Sequence, residues 1–243
     1  MTPPTPDTLI AALEATWPSA SHLRMGPFTL RDGLGGGKRV SAATPNGPAT
    51  AEDIANAAAI MAAAGTSRLF RLRPENSALD ASLADLGYQR IDPTTLFAAE
   101  TAALLNAEQP PLAALAAEIC LSIQADVWEA GGIGPARLAV MDRAAGPKAW
   151  LLARLQDRVA GAGFVAVHEG IAMVHALETR RSARRKGAAR AMMHRAAKWA
   201  AAQGAGYVSV AVTQANGPAN ALYASLGMAV VEHYHYRIHP DDV

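Results

Sequence analysis

Apolar positions along the chain follow a period of two in some segments and a period near ~3.6 in others, which predicts strands interleaved with helices. Residues 9–16 read as a short helix that ends before Pro18. Phe28-Thr29-Leu30-Arg31 alternates as a strand, Gly33 and Gly35-Gly36-Gly37 make a turn, and Lys38 to Ala42 reads as a second strand, so a hairpin is expected. Thr50 with Asp53 forms a capping-box-like start, and Ile54, Ala57, Ala58 and Met61 continue at helical spacing to Gly65. Arg68 to Leu72 reads as a strand and Ala78 to Leu86 as a helix closed by Gly87. Tyr88–Ile91 and Thr95–Ala99 then read as two short strands about Asp92-Pro93.

Pro110-Pro111, within the interruption from Leu104 to Pro111, marks the expected domain boundary, dividing residues 1–103 from 104–243. The first strand of the second part is expected around Leu104 to Glu108, or in its place Thr95 to Ala99. Leu112, Leu115, Ala116, Ile119, Ile123 and Val127 predict a long amphipathic helix, which Gly131 to Pro135 breaks, and a second helix runs from about Ala136 to Ala144. Ala149–Leu155, Val159–Val167 and Ile171–Thr179 read as three strands. Ala189, Met192, Met193, Ala196, Ala197 and Ala200 define a helix opposite an Arg190, His194, Lys198 stripe, closed by Gly204 and Gly206. Tyr207–Thr213 reads as a strand, Ala219–Leu226 as a helix ending at Gly227, and Val230–Ile238 as a final strand or strand pair. Leu83 to Asp92 resembles Tyr223 to Glu232, each a helix end, a glycine cap and a strand, which reads as a faint internal repeat.

Composition narrows the class. Of 243 residues, 51% are apolar and 18% charged, against ~25% charged in ordinary soluble domains. Alanine accounts for 56 residues, so the hydrophobic excess is small-residue filler and argues against both a membrane protein and a disordered one. Net charge is +1, which gives no global field toward nucleic acid or an anionic membrane. The single Cys120 excludes an intrachain disulfide and a multi-cysteine metal site. The N-terminus lacks the basic and apolar regions of a signal peptide, so a cytoplasmic protein is expected.

The near-zero charge hides one segment. Between Arg180 and Lys198 stand eight basic residues and no acidic one, after a strand and across the start of a helix. A helix N-terminus offers unpaired N–H groups and the positive dipole end to a phosphate. Gly187, Ala188 and Ala189 leave room for a ligand to approach. A solvated charged face and a nucleic-acid surface are the alternatives, but no aromatic residue is interleaved and the chain is not basic. Neither a Walker loop nor Gly-x-Gly-x-x-Gly is present.

Arg184-x-x-Gly187-x-Ala189, followed by Asn216, Ala219, Leu222-Tyr223 and Leu226-Gly227-Met228, resembles the GCN5-related N-acetyltransferase (GNAT) superfamily. The resemblance covers roughly residues 149–238, with 111–148 fitting two leading helices. It implies an α/β fold with a mixed sheet in the second half and a truncated, degenerate copy in the first. It implies acetyl-CoA as acyl donor, no metal, and a primary amine of a small molecule or amino acid as acceptor. A protein N-terminus as acceptor, and a non-catalytic acyl-CoA-binding module, are the alternatives. By position, Leu177 to Thr179 would pair with the pantetheine arm, and Arg184, Arg185, Lys186, Gly187, Ala188, Ala189 and Arg190 would hold the pyrophosphate. Asn216 would contact the cofactor, and Tyr223 would protonate the departing thiolate. His175 is the first candidate base. Glu178 faces away from it in ideal alternation, but a bulge would change that. Trp128, Arg137, Tyr234 and His235, with His233 and Tyr236, stand where an acceptor wall is expected. Arg181, in place of the family's common Pro, and Met228, in place of its Phe, are departures. The family also allows a homodimer.

Overall fold

The computed structural model describes residues 2–106 and 113–243, so Pro110-Pro111 and Leu112 lie outside the described residues. The first half begins with α1 (Pro6–Thr16), β1 (Ser21–Met25), β2 (Phe28–Asp32), α2 (Lys38–Ser41) and β3 (Thr44–Pro45). It continues with α3 (Ala51–Ala63), β4 (Leu69–Leu72), α4 (Ser77–Asp85), β5 (Gln89–Glu100) and α5 (Thr101–Asn106). The second half runs β6 (Ala113–Ala117), α6 (Ser122–Ala130), α7 (Pro135–Arg143), β7 (Lys148–Leu155), β8 (Arg158–His168) and β9 (Ile171–Thr179). It ends with α8 (Ala188–Ala202), β10 (Tyr207–Thr213), α9 (Gly217–Ser225) and β11 (Ala229–Ile238).

Strands β1, β2 and β3 form a small antiparallel sheet. The other eight form one sheet in the order β4-β11-β5-β10-β9-β8-β7-β6. Within it only β9 and β10 run parallel; every other neighbour is antiparallel. The mixed α/β fold expected from the sequence is therefore present. Strand β5 of the first half lies between β10 and β11 of the second.

Strand alternation sends two sets of side chains to opposite faces of the sheet. Val208, Val210 and Val212 of β10 pack with Met192, Met193, Ala196 and Ala200 of α8. On the other face Met173 and Tyr207 pack with Leu9 and Leu13 of α1, and Phe164 and Trp150 with Trp128 of α6. A separate cluster joins Phe28, Phe70 and Tyr88, whose rings lie 5.3 and 5.6 Å apart in sequence, to α3 and α4.

Helix ends follow the residues that predict them. Thr50 and Asp53 exchange side-chain and backbone hydrogen bonds at 2.9 and 3.2 Å, completing the capping box on α3. The ends of α4 and α9 match bond for bond: Tyr88 N–H donates to Leu83 O at 2.9 Å, and Met228 N–H to Tyr223 O at 3.1 Å. Gly87 and Gly227 hold the left-handed conformation between them, as this C-terminal cap requires.

Three expectations are corrected. Lys38 to Ser41 is a short helix, not a strand, and the hairpin is β1 with β2. Gly37, at φ +97, caps that helix, and Val40 turns inward to the cluster around Trp128. The expected long helix over 112–127 is instead strand β6 over 113–117 followed by α6 from Ser122. Ala114 and Ala116 alternate onto the α8 face, and methyl groups fit a strand and a helix equally. The strand expected around Leu104 to Glu108 lies partly outside the described residues, and Leu104 to Asn106 belong to α5, while its alternative, Thr95 to Ala99, lies in β5. Asp92-Pro93 does not divide two strands: β5 is continuous through it, with Asp92 at φ +45.

The first half is tied to the large sheet by charge as well as by β4 and β5. Glu14 on α1 accepts from Arg31 at 2.9 Å and also from Arg71, which is buried. Burial raises the Glu14 carboxyl pKa, but the two guanidinium groups outweigh it and hold the value below 4.5. The stabilisation is present above the ordinary carboxylate pKa and is lost as pH falls through the lowered folded value. Glu14→Gln is expected to cost about 1–3 kcal/mol near neutral pH and to make the acid-side fall in stability shallower. Thermal denaturation of both proteins across a pH series checks this; parallel curves would overturn it.

Candidate functional site

The site begins with one extra residue in β9. From Ala162 to Phe164 is two steps along β8, whereas their partners Glu178 and His175 are three steps apart along β9. Ala176 takes up the surplus at φ +49, making a bulge. The partner strand gives room there. A side chain at Gly161 would meet Glu178 O at 2.6 Å, and one at Gly163 would meet Leu177 Cδ1 at 2.9 Å.

Two results follow. First, pairing between β9 and β10 stops at Val174, so the β10-facing edge of β9 beyond that residue has no strand partner. Second, the alternation shifts. His175 and Ala176 face the α1–α6 side, Leu177 turns toward α8, and Glu178 comes against Gly131 at the end of α6. His175 and Glu178 thus share a face, as the sequence reading allows only if a bulge is present. Trp128, fully buried, donates its indole N–H to Ala176 O at 2.7 Å.

The open edge leads to the basic loop. Arg181–Ala183 form a turn, Arg185 stands at φ +59 and Gly187 at φ +86. No side chain caps α8. Ala191 donates to Gly187 O at 2.9 Å, so the N–H groups of Gly187, Ala188, Ala189 and Arg190 have no partner within the helix. These donors and the helix dipole suit a pyrophosphate. Arg184 folds back to Glu178 at 3.5 Å and to Thr179 O at 3.4 Å, while Arg185 and Lys186 remain exposed. Arg190 donates to Ser225 Oγ at 2.7 Å and ties α8 to the end of α9.

Asn216 caps α9 by accepting from Ala219 N–H at 3.2 Å. Tyr223 projects from that helix into the core beside Phe97, with ring centroids 5.8 Å apart. Burial alone pushes its phenol up to about 12.

His175 is buried and fully engaged. The Thr16 hydroxyl donates to Ala12 O at 2.6 Å, so it accepts from His175 Nε2–H at 2.8 Å. That assigns the lone pair to Nδ1, which Arg39 approaches at 3.4 Å. Burial and the Arg39 charge push the imidazole well below its usual range, so it is neutral.

A cavity of about 480 Å³ opens beside the bulge, lined among others by Ala176, Thr213, Arg137, Arg39 and Tyr234. Three of the six acceptor-wall candidates, Arg137, Tyr234 and Tyr236, meet there. Trp128 instead holds the bulge from behind. His235 points from β11 to α4, where it contacts Asp80 at 2.9 Å. Burial raises the Tyr234 phenol, but Arg39 and Arg71 outweigh it and hold the pKa below its usual value, whereas burial drives its neighbour Tyr236 well above. Arg39 and Trp17 belong to this site and carry no signal in the sequence. Trp17 lies 4.9 Å from the His175 ring.

Residues 121–228 match the model of the Acetyltransferase (GNAT) family. Among solved structures, a GCN5-related N-acetyltransferase from Kribbella flavida is 18% identical, covers 96% of this chain and 94% of its own, and has a TM-score of 0.73. A functionally unknown conserved protein from Staphylococcus epidermidis is 9% identical over 89% and 92%, with a TM-score of 0.67. A tandem GNAT protein from the clavulanic acid biosynthesis pathway is 13% identical over 98% and 89%, with a TM-score of 0.61. A search of curated proteins found no match. The fold is GNAT-like, and the family match suggests acyl-CoA-dependent acetyl transfer. Among the described residues no helix is long and apolar enough to cross a membrane, and no group of three or more His, Cys, Asp or Glu could hold a metal.

Trp128→Phe keeps the ring and removes the donor to Ala176 O. It is expected to destabilise the protein by about 1–3 kcal/mol and to speed amide exchange at Leu177 and Glu178. Unchanged exchange at those amides would show that the bulge does not depend on this bond.

Proposed function

We propose that the protein transfers an acetyl group from acetyl-CoA to the primary amine of a small molecule. The observation that carries this reading is the open edge of β9 running to an uncapped α8 N-terminus within a segment that matches the GNAT family. Leu177 to Thr179 would line the pantetheine arm, and the N–H groups from Arg185 to Arg190 would hold the pyrophosphate. Asn216 would contact the cofactor at the start of α9. When bound, acetyl-CoA supplies a thioester whose C–S bond breaks as the amine's N–C bond forms.

The chain's own groups divide the proton work. A phenol pushed to about 12 keeps its proton at neutral pH, so Tyr223 is a donor to the leaving thiolate rather than a base. Glu178 is the acceptor for the amine's proton. Glu178 is part-exposed beside the open edge, and Tyr234 lines the adjacent cavity under two guanidinium groups. His175 has its lone pair turned to Arg39 and acts as a positioning residue. The matching glycine-capped ends of α4 and α9, which feed paired strands β5 and β11, support reading residues 1–103 as a degenerate second copy.

The test is free CoA release from acetyl-CoA across a panel of small amines. Tyr223→Phe is expected to lower kcat by about 100-fold with little change in acetyl-CoA affinity. Gly187→Glu is expected to abolish acetyl-CoA binding. Turnover with no amine, despite tight acetyl-CoA binding, would overturn the reading.

A further inference from the structure

Among the described residues Arg39 is a cation without a counter-charge. It projects from α2 into the wall between two cavities, the one of about 480 Å³ beside the bulge and another of about 850 Å³ under α1 and the small sheet. Its neighbours are neutral acceptors: His175 Nδ1 at 3.4 Å and the phenols of Tyr234 and Tyr236. Its Nε is buried with no hydrogen-bond partner. Among the described residues no carboxylate lies within ion-pair distance of Arg39, although the residue is half-buried and charges withdrawn from water are ordinarily paired.

The carboxylates nearby are already engaged. Glu14 lies between Arg31 and Arg71, Asp92 takes Lys38 at 2.7 Å, and Glu75 and Glu232 take Arg73. Arg137, the second arginine of the smaller cavity, has no ion-pair partner among the described residues either. Both rooms that Arg39 borders are therefore net positive. The guanidinium is held in place rather than free, with His175 fixed by Thr16 and by the Trp17 ring. A planar, pre-oriented guanidinium is the side chain suited to a carboxylate.

We infer that the acceptor amine carries a carboxylate, which is held by Arg39 with Arg137 across the cavity. The inference rests on the acetyl-transfer reading for the amine end and on the charge of the wall for the other. Ala176 and Thr213, at the mouth of the splayed strands, line the same cavity as both arginines. An amino-acid-sized molecule therefore spans from the thioester side to the cations, and a volume of this order fits a small ligand.

The experiment compares matched acceptors in the CoA-release assay: the common L-amino acids, their carboxamides and the decarboxylated amines. The best acid is expected to exceed its amide by about 10–100-fold in kcat/KM, mostly through KM. Arg39→Gln is expected to remove that preference. Because Arg39 also touches His175, the exposed Arg137→Gln serves as a second variant and is expected to shrink the preference several-fold. Calorimetry gives an independent readout: the same acids, but not their amides, bind the intact protein without acetyl-CoA, and Arg137→Gln weakens that binding. Amides or decarboxylated amines used as well as acids would overturn the carboxylate site and leave acetyl transfer standing. Acids bound in calorimetry but no acceptor turned over would keep the site and overturn acetyl transfer. Neither binding nor preference for acids overturns the inference outright.

Discussion

The surplus residue at Ala176 is the constraint on which the rest of the site depends. A regular β9 would continue its ladder to β10 and close the edge. The bulge ends that ladder at Val174 and leaves a backbone carbonyl without a strand partner. A buried unpaired carbonyl is costly, and Trp128 removes the cost by donating to it from α6. The same event turns Glu178 onto the face of His175 and sends Leu177 toward α8. Edge, candidate base and cavity mouth are thus products of one local irregularity, made permissible by Gly161 and Gly163 on the partner strand.

The first half of the chain acts on this irregularity from outside. Thr16 at the end of α1 fixes the His175 tautomer, and α2 delivers Arg39 to the imidazole's other nitrogen. Glu14 locks α1 to β2 and β4 through two arginines. Strand β5, inserted between β10 and β11, supports β10 along its whole length while β9 departs from it. A parallel pair that splays needs such support on its far side, because β10 otherwise loses its ladder at the same point. The contribution of residues 2–106 is therefore mechanical as well as electrostatic, and it places Arg39 against His175, Tyr234 and Tyr236 of the second half.

Much of the second half was legible because its strands carry β-branched and aromatic residues and its helices end at glycines with positive φ. The α8 helix, the strand over Tyr207–Thr213 and the helix ending at Gly227 lie where their residues predict. What escaped has a physical reason in each case. Alanine fits either period, so the segment that became β6 carried no decisive pattern. Lys38–Ser41 alternates plausibly as a strand, and only the packing of Gly36 against Val140 and the φ of Gly37 turn it into a helix. Asp92-Pro93 reads as a break, yet the strand absorbs it by a single positive φ. The bulge itself is one residue long and leaves no period to detect; its trace is the pair of glycines on β8. His235 and Tyr234 differ by one position and therefore face opposite sides of β11, a distinction that only register supplies.

The distribution of charge ties these parts together. A net charge of +1 over 243 residues conceals a strong segregation of partners. Acidic side chains of the first half and the C-terminal tail are used in pairs with arginine: Glu14, Asp80, Glu232 and Asp242 each hold one or two guanidinium groups. The Arg180–Lys198 segment, by contrast, meets a single carboxylate at Arg184, and Arg39 and Arg137 meet none among the described residues. Surplus cations are thus left in two places, the α8 N-terminus and the wall beside the bulge. Arg71, which is buried, holds a carboxylate, whereas half-buried Arg39 does not. That it faces a neutral imidazole and two phenols instead is the arrangement expected when the missing negative charge arrives with a ligand. On the proposed reading the two places select different anions: a pyrophosphate at backbone donors, and a carboxylate at a fixed guanidinium.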